Sequence, residues 1–377
     1  MAGIYIHIPF CKQACVYCNF HFSTSLQLKN DFLQALLKET GDRKDYLLGE
    51  NIETIYFGGG SPSLLAPGEI ECILSAINNN FSISHNPEIT LEANPDDINL
   101  EKAMAWRKLG INRLSIGIQS FYDEDLRWMN RAHNAEQSLN SIDAVSSAGF
   151  SNLTIDLIYG MPTLTDEKWR ANVERATEYG IPHISCYALT VEAKTALEKN
   201  IRTGKTSDVN TDDQARQFLL LIDWLEEKGY EHYEISNFAK PGMRSRHNTS
   251  YWQQKKYLGL GPSAHSFDGM SRQWNISNNS LYISSVKNSL PVFEVEQLQP
   301  IHRLNEYIMT SLRTSEGLNL DLVSTQFGSD AMNQLQENSF RHEKNGSIIH
   351  EENMIKLTRK GRLLADGIAA DLFFESL

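Results

Sequence analysis

Short apolar runs alternate with longer amphipathic segments from residue 3 to about residue 235, and this alternation restricts the possible folds most strongly. The apolar runs predict strands, and the segments between them predict helices. Strands that alternate with helices predict βαβ units and a mostly parallel sheet. The predicted strands are IYIHI (4–8), TIYFG (54–58), EITLEA (88–93), RLSIGI (113–118), LTIDLI (153–158) and HISCYAL (183–189).

Six strand–helix units over this length suit an open barrel better than a two-domain sandwich. We therefore expect an α/β fold built on an incomplete, TIM-like (β/α)6 barrel. Apolar residues recur at helical spacing between the strands, which predicts the helices. These include Phe32, Leu33, Leu36 and Leu37 in one segment, Ile70, Ile73, Leu74 and Ile77 in the next, and further segments around 99–109, 134–148, 166–179 and 211–228.

The alternation stops near residue 235, so we divide the chain into a barrel at 1–235, an irregular extension at 236–295 and a small module at 296–377. The extension is rich in Gly, Ser, Asn and aromatic residues. In the module, two helices, a hairpin and a final helix resemble a winged-helix-like α+β unit. Because this unit lacks a strongly basic helix, we expect a structural or docking role for it. The patterns are Ile301, Leu304, Ile308 and Leu312, a helix near 328–338, the runs SIIH and MIKL, and LTRKGRLLADGIAADLFF.

Composition and charge argue against several classes of protein. The 377 residues carry a net charge of -12, which disfavours a broad nucleic-acid-binding surface. The start, MAGIYIHIPF, lacks the basic segment and long apolar run of a signal, and no stretch approaches the roughly 18 apolar residues of a spanning helix. We expect a cytoplasmic protein with no membrane insertion and no nucleic-acid partner. Cys72 and Cys186 stand alone in apolar segments and are expected to act as small hydrophobic residues.

Polar and glycine-rich motifs follow directly after the predicted strands. The cysteines follow the first strand, GGGSPS follows the second, and EANP ends the third. Gln119 follows the fourth strand, and Asp156 lies late in the fifth. In parallel α/β folds, ligands bind at the carboxyl ends of the strands. The sequence therefore predicts one ligand site at this end of the barrel.

Cys11, Cys15 and Cys18 form a C-x3-C-x2-C cluster immediately after the first strand. Three thiolates in so tight a loop suit one face of a [4Fe–4S] cluster, which ordinarily takes four thiolates. One iron would then remain open to a small chelating molecule. The alternative is zinc held by these cysteines and His21. Zinc is less favoured because structural zinc sites usually bring their ligands from two separated segments.

The segment YIHIPFCKQACVYCNF (5–20) resembles the cluster loop of the radical S-adenosylmethionine (SAM) superfamily. Its first part, YIHIPFC, more narrowly resembles the oxygen-independent coproporphyrinogen III oxidases and their relatives, the HemW haem chaperones. The resemblance extends through most of the chain. It implies a [4Fe–4S] cluster on the three cysteines and SAM bound beside it. It also implies electron transfer from the reduced cluster into SAM, which would require an electron donor if SAM is cleaved.

The same resemblance implies which residues contact SAM. GGGSPS resembles the family's GGGTP segment, with Ser61 in place of the more usual Thr. Glu92 corresponds to the carboxylate that binds the SAM ammonium, and Arg131 suits its carboxylate, since such opposite charges pair well on a zwitterion. The implied set is Tyr5, Tyr17, Gly59, Gly60, Ser61, Glu92, Gln119, Arg131, Asp156 and Ala188. We assign no catalytic residue.

Two departures from the oxidase pattern favour the chaperones. The oxidases carry a further cysteine two positions after the third, and Phe20 stands there in this chain. Their extension ahead of the first strand also has no counterpart before Cys11. Both features match the HemW group.

The segment HNTSYW (247–252) resembles the H-N-x-x-Y-W motif of the HemW group. This resemblance implies haem binding, with His247 as axial iron ligand and Tyr251 and Trp252 as flat apolar contacts. His265, in LGLGPSAHSF (258–267), is a secondary candidate ligand.

We therefore expect a haem chaperone that binds haem and delivers it to haem-accepting proteins, without coproporphyrinogen oxidase activity. The main alternative is an oxygen-independent coproporphyrinogen III oxidase, which would decarboxylate its substrate by radical SAM chemistry. A weaker alternative is a SAM-dependent methyltransferase or another modifying enzyme acting on a tetrapyrrole-like substrate.

Overall fold

The computed structural model describes residues 2–376. Within this range the strands are β1 (Ala2–Ile8), β2 (Ile52–Gly59), β3 (Ile83–Ala93), β4 (Arg113–Gln119), β5 (Leu153–Tyr159), β6 (His183–Ala188), β7 (Glu231–Glu234), β8 (Asn237–Ala239), β9 (Tyr257–Leu260), β10 (His265–Phe267), β11 (Ser271–Asn275), β12 (Phe293–Gln297), β13 (Leu318–Asn319), β14 (Ile348–Glu351) and β15 (Met354–Leu357). The helices are α1 (Lys29–Asp42), α2 (Pro67–Asn80), α3 (Leu100–Lys108), α4 (Asp123–Trp128), α5 (Ala135–Ser147), α6 (Asp166–Glu178), α7 (Ala196–Arg202), α8 (Thr211–Glu227), α9 (Arg246–Trp252), α10 (Asn279–Lys287), α11 (Pro300–Leu312), α12 (Leu320–Phe327), α13 (Ser329–Lys344), α14 (Arg359–Arg362) and α15 (Ala365–Asp371).

The six predicted strands lie side by side in chain order as one parallel sheet, β1 to β6. Further strands extend this sheet on both sides, in the order β12-β11-β10-β9-β1-β2-β3-β4-β5-β6-β8-β7. The edge strands β12 and β7 do not pair with each other, so the barrel is open. The expected incomplete α/β barrel is therefore confirmed.

The parallel strands form because one of their faces is apolar and is covered by helices. In β1, the side chains of Ile4, Ile6 and Ile8 are fully buried. Several helices begin at polar capping residues, as where the Asn134 side chain accepts a hydrogen bond from the Gln137 N–H at the start of α5. The short helix α4 was not predicted, because six residues are too few to show a helical period.

The segment 236–295 was expected to be irregular, and this expectation is wrong. It forms strands of three to five residues that continue the main sheet, and it also forms helices α9 and α10. Strand β9 pairs in parallel with β1, opposite Gly3 to Ile6. Such short strands, rich in Gly and Ser, show no alternation in the sequence, and their partners lie far away along the chain. The motif HNTSYW lies on helix α9.

The last part of the chain has an apolar core of its own, which includes Leu304, Ile308, Leu335 and Ile355. The expected helices and hairpin correspond to α11, α13, β14 and β15, and the small sheet also contains β13. Backbone hydrogen bonds tie this part to the barrel, for example from the Ile235 N–H to the Arg313 carbonyl at 3.1 Å. Helix α11 thereby packs beside the carboxyl end of the barrel.

Helices long and apolar enough to cross a bilayer are absent from residues 2–376.

Candidate functional site

The cysteine loop leaves the carboxyl end of β1 and is fixed by backbone hydrogen bonds. The Cys11 N–H donates to the Ser23 carbonyl at 3.0 Å, so the two ends of the loop lie together. The Val16 N–H donates to the Met129 carbonyl at 3.1 Å, which tethers the middle of the loop to the end of α4. Cys11, Cys15 and Cys18 all line one cavity of about 430 Å³, here called the cysteine cavity.

The glycine turn after β2 packs directly against the segment that leads into the cysteine loop. The Gly60 N–H donates to the Ile8 carbonyl at 2.8 Å, and the Ser61 N–H donates to the Phe10 carbonyl at 2.7 Å. A Cβ atom on Gly60 would lie 2.6 Å from the Phe10 oxygen and 2.7 Å from the Ile8 oxygen. Glycine is therefore required here by the close approach of two backbones.

Two buried carboxyl groups, Glu92 on β3 and Asp156 on β5, face the same cavity. Burial raises the pKa of Glu92 to about 7, although it accepts hydrogen bonds from the Tyr56 hydroxyl at 2.8 Å and the Gly59 N–H at 3.2 Å. Burial likewise raises the pKa of Asp156 to about 6. A cationic ligand would stabilise the ionised form of both carboxyl groups.

Arg131 supplies the positive charge of this cavity. Its Nη1 donates to the Cys15 sulfur at 3.3 Å, and its Nη2 donates to the Asn94 side-chain oxygen at 2.7 Å. Burial disfavours the charged guanidinium, but Tyr17 and Cys15 beside it hold the pKa of Arg131 above its ordinary value. The Nε of Arg131 is buried without a hydrogen-bond partner among residues 2–376.

Gln119, at the end of β4, has a φ of 64°. This left-handed conformation is uncommon for a residue with a side chain, and such strain is concentrated at functional sites. Nine of the residues that the resemblance assigns to SAM line the cysteine cavity. They are Tyr17, Gly59, Gly60, Ser61, Glu92, Gln119, Arg131, Asp156 and Ala188.

Tyr5 is not brought to the cysteine cavity. It lines a second cavity, where its hydroxyl donates to the His7 Nδ1 at 3.3 Å. Conversely, Asn94 was missed from the sequence, although it lies in the EANP segment two residues after Glu92. Its side chain donates to the Ser61 hydroxyl at 2.7 Å and accepts from Arg131, so it joins the glycine turn to the guanidinium.

The donor set of the cysteine cavity fits an iron–sulfur cluster. It offers three sulfur atoms, of which one already accepts a hydrogen bond from Arg131, as an anionic thiolate ligand would. In the metal-free protein, burial raises the pKa of Cys11 to about 11 and also raises the pKa of Cys18. Metal coordination would reverse this by deprotonating the thiols.

The zinc alternative is not supported by the position of His21. Its Nε2 shares a hydrogen bond with the Asn279 side-chain oxygen at 2.7 Å, and its ring lines the second cavity and not the cysteine cavity. Across residues 2–376, no three or more His, Cys, Asp or Glu side chains are arranged to hold a single metal ion. A four-iron cluster spaces its ligands more widely than a single ion does.

The second cavity, here called the aromatic cavity, has a volume of about 640 Å³ and lies between the barrel and helix α11. Asn19 and Phe20 line both cavities, so the two adjoin at the end of the cysteine loop. The aromatic cavity is lined by the secondary candidate ligand His265 and by the two predicted haem contacts Tyr251 and Trp252. Its other aromatic walls are Tyr5, Tyr257 and Phe267.

His247 does not line either cavity. Its side chain is almost fully buried, and burial lowers its pKa to about 3. Its Nδ1 shares a hydrogen bond with the Thr54 hydroxyl at 2.7 Å, and its Nε2 shares one with the Tyr251 hydroxyl at 2.9 Å. Both nitrogens are therefore occupied, so ligation of haem iron by His247 would first require the loss of one of these hydrogen bonds.

A family model described as the radical SAM superfamily matches residues 5–176, and one described as the HemN C-terminal domain matches residues 298–364. The fold is also that of a solved structure, titled coproporphyrinogen III oxidase (HemN) from Escherichia coli, a radical SAM enzyme. The TM-score is 0.87 at 24% identity, covering 100% of this chain and 90% of that chain. The barrel and the cysteine cavity thus define a radical SAM protein, a class whose members hold a [4Fe–4S] cluster and SAM.

Two curated relatives match this chain along almost its whole length. The heme chaperone HemW of Mycobacterium tuberculosis is 32% identical over 375 residues, covering 98% of this chain and 94% of that protein. The heme chaperone HemW of Bacillus subtilis is 30% identical over 372 residues, covering 98% of each. The chain therefore belongs to the HemW haem chaperone family within the radical SAM superfamily.

Proposed function

We propose that the protein is a haem chaperone that carries haem in the aromatic cavity and delivers it to haem-accepting proteins. In this proposal the cysteine cavity holds a [4Fe–4S] cluster on Cys11, Cys15 and Cys18, with SAM beside it. The observation that carries the proposal is the pair of adjoining cavities, one lined by thiols and charges and the other by aromatic rings.

The charges of the cysteine cavity suit SAM. The ligand carries an ammonium and a carboxylate at its methionine end, and Glu92 and Arg131 provide a partner for each. The glycine turn lets its backbone approach the ligand closely, because Gly59 and Gly60 carry no side chains. A cluster held by Cys11, Cys15 and Cys18 would, once reduced, be able to supply an electron to SAM. The chain's own residues bind SAM, orient it and exclude water from it.

The aromatic cavity suits a porphyrin. Haem is a large flat apolar ring with two carboxylates, and it requires aromatic walls and cations at the rim. Tyr251 and Trp252 offer such walls, and Lys255 and Arg272 line the same cavity. Arg272 already pairs with Glu306 at 3.0 Å, whereas Lys255 is 4.0 Å from its nearest acidic partner, Glu53. Lys255 is therefore the better placed cation for a haem carboxylate.

Coproporphyrinogen oxidation is the competing function, since the fold is shared with that enzyme. Phe20 distinguishes the two, because the oxidases carry a further cysteine at this position. Its ring is 67% exposed between the two cavities, so it adds an apolar surface where a cysteine would add a thiol.

The test is a haem titration of the anaerobically reconstituted protein, followed by transfer of the haem to apomyoglobin. We expect equimolar haem binding and transfer of the haem. We also expect no conversion of coproporphyrinogen III when SAM and a reductant are supplied. Failure to bind haem, or efficient decarboxylation, would overturn the proposal.

A pair of variants connects haem binding to the aromatic cavity. Trp252→Ala removes part of its wall and is expected to weaken haem binding. Tyr179→Ala removes an exposed aromatic residue that lines neither cavity, at the end of α6, and is expected to leave haem binding unchanged. Equal losses in both variants would show that haem binds nonspecifically to exposed rings.

A further inference from the structure

We infer that His265, and not the histidine of the HNTSYW motif, is the side chain that ligates the haem iron. This inference rests on the proposed function and names the iron ligand of the same cavity. It follows from a comparison of the imidazoles that line the aromatic cavity, which are those of His7, His21 and His265.

His7 is buried and both of its ring nitrogens are engaged. Its Nδ1 accepts from the Tyr5 hydroxyl at 3.3 Å, and its Nε2 donates to the His21 carbonyl at 2.8 Å. Its ring also lies under the glycine turn, where a Cβ on Gly59 would approach it to 2.5 Å. It has neither a free nitrogen nor the room to turn towards a ligand.

His21 has one ring nitrogen bonded to Asn279, so only its Nδ1 is free. His265 is different, because it is exposed and neither of its ring nitrogens has a hydrogen-bond partner within the described part of the chain. Its one ring contact is with Trp274, at 6.4 Å between centroids. A haem iron would therefore displace no existing bond of His265.

The backbone around His265 is rigid, as a metal ligand requires. Strands β9 and β10 approach so closely that a Cβ on Gly259 would lie 2.0 Å from the His265 carbonyl oxygen. The turn between them is held by the buried Glu39. Its carboxylate accepts from the Gly261 N–H at 2.8 Å and from the Tyr282 hydroxyl at 2.6 Å.

Tyr257 and Phe267 line the cavity beside His265 and offer apolar surface to the porphyrin.

The experiment compares ferric haem complexes of the full chain by absorption and electron paramagnetic resonance spectroscopy. We expect His265→Ala to lose the signature of a nitrogen-ligated iron and to bind haem roughly tenfold or more weakly. Added imidazole should restore the spectrum, since the vacated position remains open. The control is His85→Ala, which removes an exposed histidine in β3 that lines neither cavity.

An unchanged spectrum in His265→Ala would overturn the inference, as would loss of the signature in His21→Ala instead. Because His265 is exposed and makes no side-chain hydrogen bond, thermal denaturation should show that the variant folds normally. Absence of haem binding in the unaltered protein would be a different result. It would refute the proposed function itself.

Discussion

The ring of Tyr56 stacks on the imidazole of His247, with 4.9 Å between centroids and 23° between planes. The hydroxyl of Tyr56 donates to Glu92 in the cysteine cavity, and His247 is bonded to the Tyr251 hydroxyl at the aromatic cavity. Through its contacts with Tyr56 and Thr54, the imidazole of His247 packs α9 against β2.

His247→Ala is expected to destabilise the fold. The change opens a buried void and leaves the Thr54 and Tyr251 hydroxyls without their imidazole partner, at a cost of about 2–4 kcal/mol in the free energy of unfolding. Urea denaturation measures this. Thr249→Val on the same helix is the control, because the Thr249 hydroxyl is buried without a partner among the described residues. A fully stable His247→Ala protein with no haem-iron ligation would contradict our assignment.

Cys15→Ser is expected to abolish the iron–sulfur cluster, because three thiolates are the minimum set in the cysteine cavity. Iron and acid-labile sulfide analysis after anaerobic reconstitution measures the effect. Cys72→Ser is the matched control, since Cys72 is exposed on α2 and outside the cavity. Equal cluster content in the two variants would disprove the ligand assignment.

Gly60→Ala is expected to push the glycine turn away from the cysteine loop. The added Cβ would meet two backbone oxygens below 3 Å, and we expect a loss of about 1–3 kcal/mol in stability together with weaker SAM binding. Calorimetric titration with SAM and thermal denaturation measure both effects. At Gly68 on α2 a Cβ meets nothing within 4 Å. Gly68→Ala should therefore keep SAM affinity, and a similar loss in this variant would refute the steric explanation.

The contribution of Glu92 to the stability of the cofactor-free protein is expected to fall as the pH rises from about 4.5 to about 7. Burial raises the pKa of Glu92 from 4.5 to about 7, so this carboxyl group binds more protons in the folded protein than in the unfolded chain across this range. Its contribution to the free energy of unfolding then decreases with increasing pH. Glu92→Gln should reduce this decrease, as measured by urea denaturation across the range.

Glu71→Gln, at an exposed position on α2, is the control for this pH dependence. An equal pH dependence of Glu92→Gln and the unaltered protein would show that other groups dominate. SAM should also stabilise the unaltered protein more than it stabilises the Glu92→Gln variant. The variant lacks the carboxylate that would pair with the SAM ammonium.

The barrel was predictable because each parallel strand contains a short segment rich in apolar and β-branched residues, and such segments are visible without knowledge of their partners. The cysteine cavity was predictable for a related reason. Parallel strands place their carboxyl ends together, so motifs far apart in sequence, such as the cysteines and Asp156, had to meet. Asn94 was missed because its role is to bridge two other residues, which only the packed geometry reveals.

The errors fall where the partner of a segment is distant. Strand β9 is four residues long and pairs with β1. In the Gly3–Tyr257 pair, the two residues are more than 250 positions apart in the sequence. The burial of His247 was not anticipated, because residue type indicates what a side chain can ligate but not whether it is buried. The position of Tyr5 was not anticipated either, since it lines the aromatic cavity together with His7 on the same face of β1.

The pairing of β9 with β1 has a consequence for biosynthesis. As the chain leaves the ribosome, its first strand keeps one edge without a neighbour until residues near 260 have emerged. The cysteine loop therefore follows a strand that lacks one of its neighbours during most of translation. We expect iron and sulfide to be inserted only after the segment near residue 260 has emerged and paired with β1.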